Sequence, residues 1–209
     1  LGFVYHRLQN TIRPTGREPG YADAQALRRD LELVLAHVHS RHVARGSIRK
    51  LLWQVDVFGF HLAGIDIRQG AGVVREATGA LLPGFADADE EGRMALLTEA
   101  LVNGRRGIQH DPGGVAGELL RVLDTIALSV EAYGPQSVPA FVISMTERPS
   151  DVLAAHWLAQ RARATTLRMV PLFETRLALE QAPATMAALY ANEPCRTHLR
   201  TQANLQTVM

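Results

Sequence analysis

Lysine and cysteine are almost missing from this 209-residue chain, in which Lys50 and Cys195 stand alone. A lone cysteine excludes an intrachain disulfide and fits a reducing cytosol. A lone lysine, in a basic helical stretch, leaves Schiff-base and lysine-base chemistry with a single weak candidate. An excess of either charge is also lacking. The net charge is +1, so no field points to nucleic acid or to an anionic membrane surface. No apolar run approaches the ~20 residues of a membrane span, and Leu1 to Asn10 has no signal-peptide pattern. Walker and GxGxxG motifs are absent, as are internal repeats and low-complexity segments. What remains is a chain that is 47% hydrophobic, enough for a core. Its basic residues are almost all arginine, which suits recognition of phosphate and carboxylate.

Hydrophobic periodicity places the helices. A helix is expected over Leu1 to Arg13, followed by the loop PTGREPG, Pro14 to Gly20. Asp23 then caps a helix reaching about His42, with Leu27, Leu31, Val34, Leu35 and Val38 as its buried stripe. Gly46 breaks it, and Ser47 is the expected N-cap of a second helix ending at Gly59. Further helices are expected over Val73 to Leu82, within Asp87 to Asn103, over Val115 to Tyr133, and from a Ser150 cap. The last are Thr175 to Glu180 and Pro183 to Arg200, with Pro183 in a first turn. Gly104 to Gly114 reads as a loop. Three mostly apolar stretches read as buried strands, near residues 62–67, 140–145 and 167–172. Strands separated by helices imply a helix-rich α/β fold with a parallel sheet or barrel. Three strands leave unpaired edges. With no initiator methionine and an apolar LQTVM end, the chain reads as one fragment, 1–209, of a larger barrel domain. Residues 1–60 form its helical part and 61–209 the partial barrel.

Parallel α/β folds place chemistry at the C-terminal ends of their strands. Two such ends carry candidates: Arg68 with Gln69, and Glu174 after LRMVPLF. An arginine fork can hold a phosphate bidentately, and a carboxylate is a hard ligand for Mg²⁺ or Mn²⁺. Each has a plainer reading as well. Glu174 can cap the next helix, and Arg68 can form a structural ion pair with Asp66 or Asp151. The histidines form no metal site, because His37, His39 and His42 do not converge on one ion. His61 reads as a core or supporting group and His156 as packing. Ser144 and Ser150 lack a nearby base, and Cys195 shows no sign of activation.

At these strand ends the chain resembles phosphoenolpyruvate carboxylase. Three blocks carry the likeness, in order: FGFHLAGIDIRQ (Phe58–Gln69), FVISMTERPSDVLAAHWLAQ (Phe141–Gln160) and VPLFET (Val170–Thr175). The run YGPQSVPAFVISM from Tyr133 leads into the second. The resemblance implies a phosphoenolpyruvate/pyruvate-type (α/β) barrel with many added helices. It implies an enzyme that carboxylates phosphoenolpyruvate with bicarbonate to oxaloacetate, a tricarboxylic acid cycle metabolite, and phosphate. Mg²⁺ or Mn²⁺ is the implied cofactor, and a cytoplasmic homotetramer without nucleic-acid or membrane partners the implied setting. By the matching motifs, Arg68 is the implied phosphate-binding residue and Glu174 the implied metal ligand. The implied mechanism stabilises the enolate of pyruvate with the metal and neutralises the phosphate with arginine as it passes to bicarbonate. CO₂ is then released from carboxyphosphate beside the enolate, away from water.

The catalytic set of that family is incomplete here. Its TxHPTE histidine lies upstream, its GYSDS carboxylate would follow Met209 almost at once, and its glycine-rich loop and further arginines are missing. GAGVVREA, Gly70 to Ala77, replaces a polar segment, and Glu193-Pro194-Cys195 replaces an aromatic one. The fragment is therefore expected to be inactive alone. Two rival readings are another metal-dependent pyruvate or phosphoenolpyruvate barrel enzyme, such as a lyase, and a non-catalytic helical scaffold.

Overall fold

The computed structural model describes residues 2–14, 16, 19–38, 44–104 and 112–209. The chain divides into two compact units, Leu1–Gly64 and Ile65–Met209. The first consists of α1 (Gly2–Ile12), α2 (Ala24–His37) and α3 (Ala44–Phe58). Its core is Val4, Tyr21, Leu27, Leu31, Ile48, Leu52 and Val55. Fully burying an aliphatic side chain such as Leu31 stabilises by about 1.5–3 kcal/mol, and this small set joins the three helices. Asp23 caps α2 by accepting the Ala26 N–H at 2.7 Å. A polar cluster completes the unit: Arg7 pairs with Asp30 at 3.1 Å, Tyr21 donates to the same carboxylate at 2.8 Å, and the Arg7 guanidinium lies over the Tyr21 ring. Burial first, then the bond to Asp30, pushes the Tyr21 hydroxyl up to about 12.

Two expectations for this unit are corrected. The helix start assigned to Ser47 lies earlier, at Ala44, so Gly46 and Ser47 are inside α3. The expected extension of α2 to His42 runs past its observed end at His37, and His39 and His42 lie outside the described residues. Glycine is required where α3 stops. Gly59 has φ +50°, and a Cβ there would come within 2.7 Å of the His61 ring. His61 therefore covers the end of α3, half-buried, and is not a core residue.

The second unit contains β1 (Ile67–Gly70), α4 (Ala71–Leu81), α5 (Glu90–Asn103), α6 (Gly114–Tyr133), β2 (Ala140–Ser144), α7 (Pro149–Arg161), β3 (Arg168–Pro171), α8 (Arg176–Ala191) and α9 (Glu193–Thr201). The strands form a parallel open sheet in the order β1-β2-β3. The architecture is thus helix-rich α/β, as the alternation of apolar runs and helical stripes predicts. Phe141, Val142 and Ile143 of the central strand are all buried, as expected for a strand covered on both faces.

Helix α7 lies at the centre of this unit, packed on α4, α5, α6 and α8 and on strands β2 and β3. It is buried nearly all round, from Ser150 to Ala159 with His156 alone partly exposed. That explains its composition: Ala154, Ala155 and Ala159 let neighbours approach closely, while Leu153, Trp157 and Leu158 fill the core.

The first strand is displaced from its expected position. Leu62 to Asp66 is exposed and not paired as a strand. Leu62 has φ +67° and donates its N–H to Phe58 O at 2.8 Å, so it belongs to the turn that closes α3. The ladder starts at Ile67, opposite Phe141, and ends with Gly70 opposite Ser144. Arg68 and Gln69 are therefore inside β1 and not past its exit. An edge strand tolerates them, because it is not enclosed by strands on both sides.

Two helix termini also differ. The N-cap of α7 is Arg148, with Pro149 in the first turn, and Ser150 instead donates to Glu90. Pro183 lies inside a continuous α8. The break falls later, at Asn192, whose side chain accepts the Cys195 N–H and caps α9.

Candidate functional site at the strand ends

The three strands end on one side, and two of the sequence candidates meet there. Arg68, from β1, places Nη2 at 3.3 and 3.2 Å from Oε1 and Oε2 of Glu174. Glu174 lies three residues beyond the end of β3, and its Oε1 also accepts the Met145 N–H at 2.9 Å, just past β2. Each strand thus contributes one group: a guanidinium, a backbone amide and a carboxylate. Both charged side chains are accessible, Arg68 at 58% and Glu174 at 34% exposure. The pair can therefore receive an outside ligand without unfolding.

The plainer readings of these two residues find other occupants. Thr175 is the N-cap of α8, its hydroxyl accepting the Ala178 N–H at 3.1 Å, so Glu174 is not that helix's cap. Asp151 is fully buried and paired with Arg75 at 3.2 Å, so it is not the partner of Arg68. Arg68 does form an ion pair, but with Glu174.

The backbone around Glu174 is fixed by strand geometry. Residues of a strand direct their N–H and C=O groups alternately to either side. Leu172 faces β2, donating to Ile143 O at 3.0 Å and accepting from the Thr146 N–H at 3.1 Å. Pro171 and Phe173 face the other way. There, Met209 donates to Pro171 O at 3.0 Å and accepts from the Phe173 N–H at 2.9 Å, the bond alternation of a parallel neighbour. The missing N–H of Pro171 consequently faces away from β2, and the ladder between β2 and β3 is unbroken.

Sequence reasoning missed the amide of Met145, because a backbone donor leaves no residue signature. Met145 has φ +55°, an uncommon conformation for a non-glycine residue. It also missed a second polar cluster. His156 on α7 and His198 on α9 lie against each other, with ring centroids 4.3 Å apart. His156 Nδ1 and His198 Nε2 are buried without a hydrogen-bond partner. Both rings flank a cavity of about 310 Å³ that also contacts Gln160 and Glu193. Burial, then the charge on His198, pushes His156 down to about 3, and burial lowers His198 also. Burial pushes the thiol of nearby Cys195 up to about 12, which leaves it a poor nucleophile.

Among the described residues no group of three or more His, Cys, Asp or Glu side chains could hold a metal ion, and no helix is long and apolar enough to cross a membrane. Glu174 alone is a suitable donor in kind, since Mg²⁺ is commonly held by one or two carboxylates with water and substrate oxygens.

The family model for phosphoenolpyruvate carboxylase matches residues 4–209. A phosphoenolpyruvate carboxylase of Rhodopseudomonas palustris (strain ATCC BAA-98 / CGA009) is 32% identical over 221 aligned residues, covering 97% of this chain and 23% of that protein. One from Xanthomonas campestris pv. campestris (strain 8004) is 33% identical over 214, again covering 97% and 23%. The chain therefore spans about a quarter of the length of these relatives. With the match running through both strand-end candidates and nearly end to end, the chain belongs to the phosphoenolpyruvate carboxylase family.

Proposed function

We propose that this chain is the segment of a phosphoenolpyruvate carboxylase that supplies part of its substrate and metal site. The observation that carries the reading is the meeting of Arg68, from within β1, with Glu174, just past the end of β3. In this reading Arg68 receives the substrate phosphate. Both contacts to Glu174 are made by Nη2 alone, so the guanidinium can turn its other edge to a second anion. Glu174 holds a divalent cation, Mg²⁺ or Mn²⁺, with Oε1 oriented by the Met145 amide. When bound, that cation supplies charge stabilisation to an enolate oxygen. Arg68 balances the phosphate charge during transfer to bicarbonate.

The barrel form of the fold belongs to the same proposal. Its support is the backbone of Met209, which occupies the position of a fourth parallel strand beside β3. The complete enzyme would be a cytoplasmic homotetramer that forms oxaloacetate.

Oxaloacetate formation from phosphoenolpyruvate, bicarbonate and Mg²⁺ tests the reading. The 209-residue chain is expected to show no turnover. A longer chain carrying flanking segments like those of the relatives is expected to turn over, and to lose activity in Arg68→Gln and Glu174→Gln. Turnover by the shorter chain, or indifference of the longer one to both substitutions, would overturn it.

A further inference from the structure

Glu174 projects from a short loop and is partly exposed, so its direction depends on what it touches. One of those contacts is the Met145 N–H, at 2.9 Å. Met145 holds a left-handed backbone conformation at φ +55°, which an ordinary residue keeps only when its surroundings impose it. The loop from Met145 to Arg148 therefore has to be held from outside. Thr146 holds one end: its hydroxyl donates to Ile143 O at 2.7 Å and its N–H to Leu172 O at 3.1 Å.

Asp151 holds the other end. Its Oδ2 accepts the N–H groups of Glu147 and Arg148, both at 3.0 Å. Its Oδ1 accepts from Arg75 Nη1 at 3.2 Å. The side chain is wholly buried, so these three donors replace its water shell. A cap that served α7 alone would need only the loop amides. The third donor comes from α4, the helix that follows directly on the strand carrying Arg68. Asp151 thus joins the element behind Arg68 to the loop that presents the Met145 amide to Glu174. Glu90, from the start of α5, supports the same turn by accepting the Ser150 N–H at 2.9 Å and its hydroxyl at 2.7 Å.

We propose that Asp151 is a positioning residue for the strand-end site: by fixing the loop from Met145 to Arg148 between Arg75 and α7, it orients the carboxylate of Glu174. The value of that orientation to a bound cation rests on the carboxylase reading. The orientation itself does not, and it can be measured without activity.

An amide hydrogen-bonded to a carboxylate changes its NMR shift when that carboxylate is replaced by a carboxamide. In the ¹⁵N-labelled chain, Glu174→Gln is expected to shift the Met145 amide. In an Asp151→Ala background, with a cooperative fold verified by circular dichroism, the amplitude of that shift at Met145 is expected to fall below half of its value in the parent background. An amplitude of half or more would overturn the proposal, because a purely stabilising Asp151 would leave the contact intact in the folded state. If Asp151→Ala does not fold, the isosteric Asp151→Asn is judged by the same threshold. It cannot serve both the loop amides and Arg75, because one of its two atoms is a donor. Failure of the carboxylase reading would appear elsewhere, as turnover in the longer chain that ignores Glu174→Gln, with the effect of Glu174→Gln on the Met145 amide unchanged.

Discussion

Acid should weaken the second unit through the buried histidine pair. His156 is pushed from its ordinary 6.5 down to about 3, by burial and then by the charge on His198. The folded state therefore binds a proton at His156 less readily than the unfolded chain does. The contribution to stability is complete above about pH 6.5 and is lost as pH falls towards about 3. Within that window each pH unit costs about 1.4 kcal/mol, so acidification to about pH 5 removes roughly 2 kcal/mol through His156 alone. His198 moves in the same direction and adds to the loss. Glu193, which lines the same cavity, is already engaged by Arg196 and Arg200 and offers little compensation. Urea unfolding followed by the fluorescence of Trp157, buried beside His156, reads the effect. A Trp53→Phe background removes the exposed tryptophan of the other unit. Measured at about pH 7.5 and about pH 5, the parent chain is expected to lose roughly 2 kcal/mol more than His156→Gln does. Equal losses in the two chains would refute the reasoning, because a neutral glutamine has no proton to gain.

Two further outcomes follow from the structure. Glu174→Gln removes an accessible ion pair, so unfolding stability in urea is expected to change by less than about 1 kcal/mol; a loss of ~3 kcal/mol, of the size found for broken buried pairs, would make Glu174 a structural residue. Cys195, with its thiol raised to about 12 by burial, is expected to resist a thiol reagent in the native chain and to react at once in urea. Rapid native labelling would show that α9 does not stay packed on α5 and α8.

Much of the architecture was legible because it depends on local periodicity. The stripe through Leu27 and Leu31, the Asp23 cap, the long helix before Gly134 and the apolar AFVIS strand are properties of neighbouring residues. The structure departs from that local reading where one signal stands for two outcomes. Leu62 and Ile65 are as apolar as a strand requires, yet the left-handed turn closing α3 uses the first and leaves both exposed. Ser47 and Ser150 are good caps by residue type, but Ser47 lies within α3 and Ser150 serves Glu90. Pro183, read as a helix start, lies within α8.

The sequence by itself determined the chemical kinds present at the candidate site: an arginine and a glutamate near the ends of apolar runs, in motifs ordered like those of one enzyme family. Only the tertiary structure decided that Arg68 and Glu174, 106 positions apart, come within 3.2 Å of each other. It also decided that the Met145 backbone amide donates to Glu174, and that the partners of Asp151 are Arg75 and two loop amides. The physical reason is that composition and spacing describe what each segment can bury. The pairing of strand ends is set by register and by the packing of α7 beneath them, which no single segment contains.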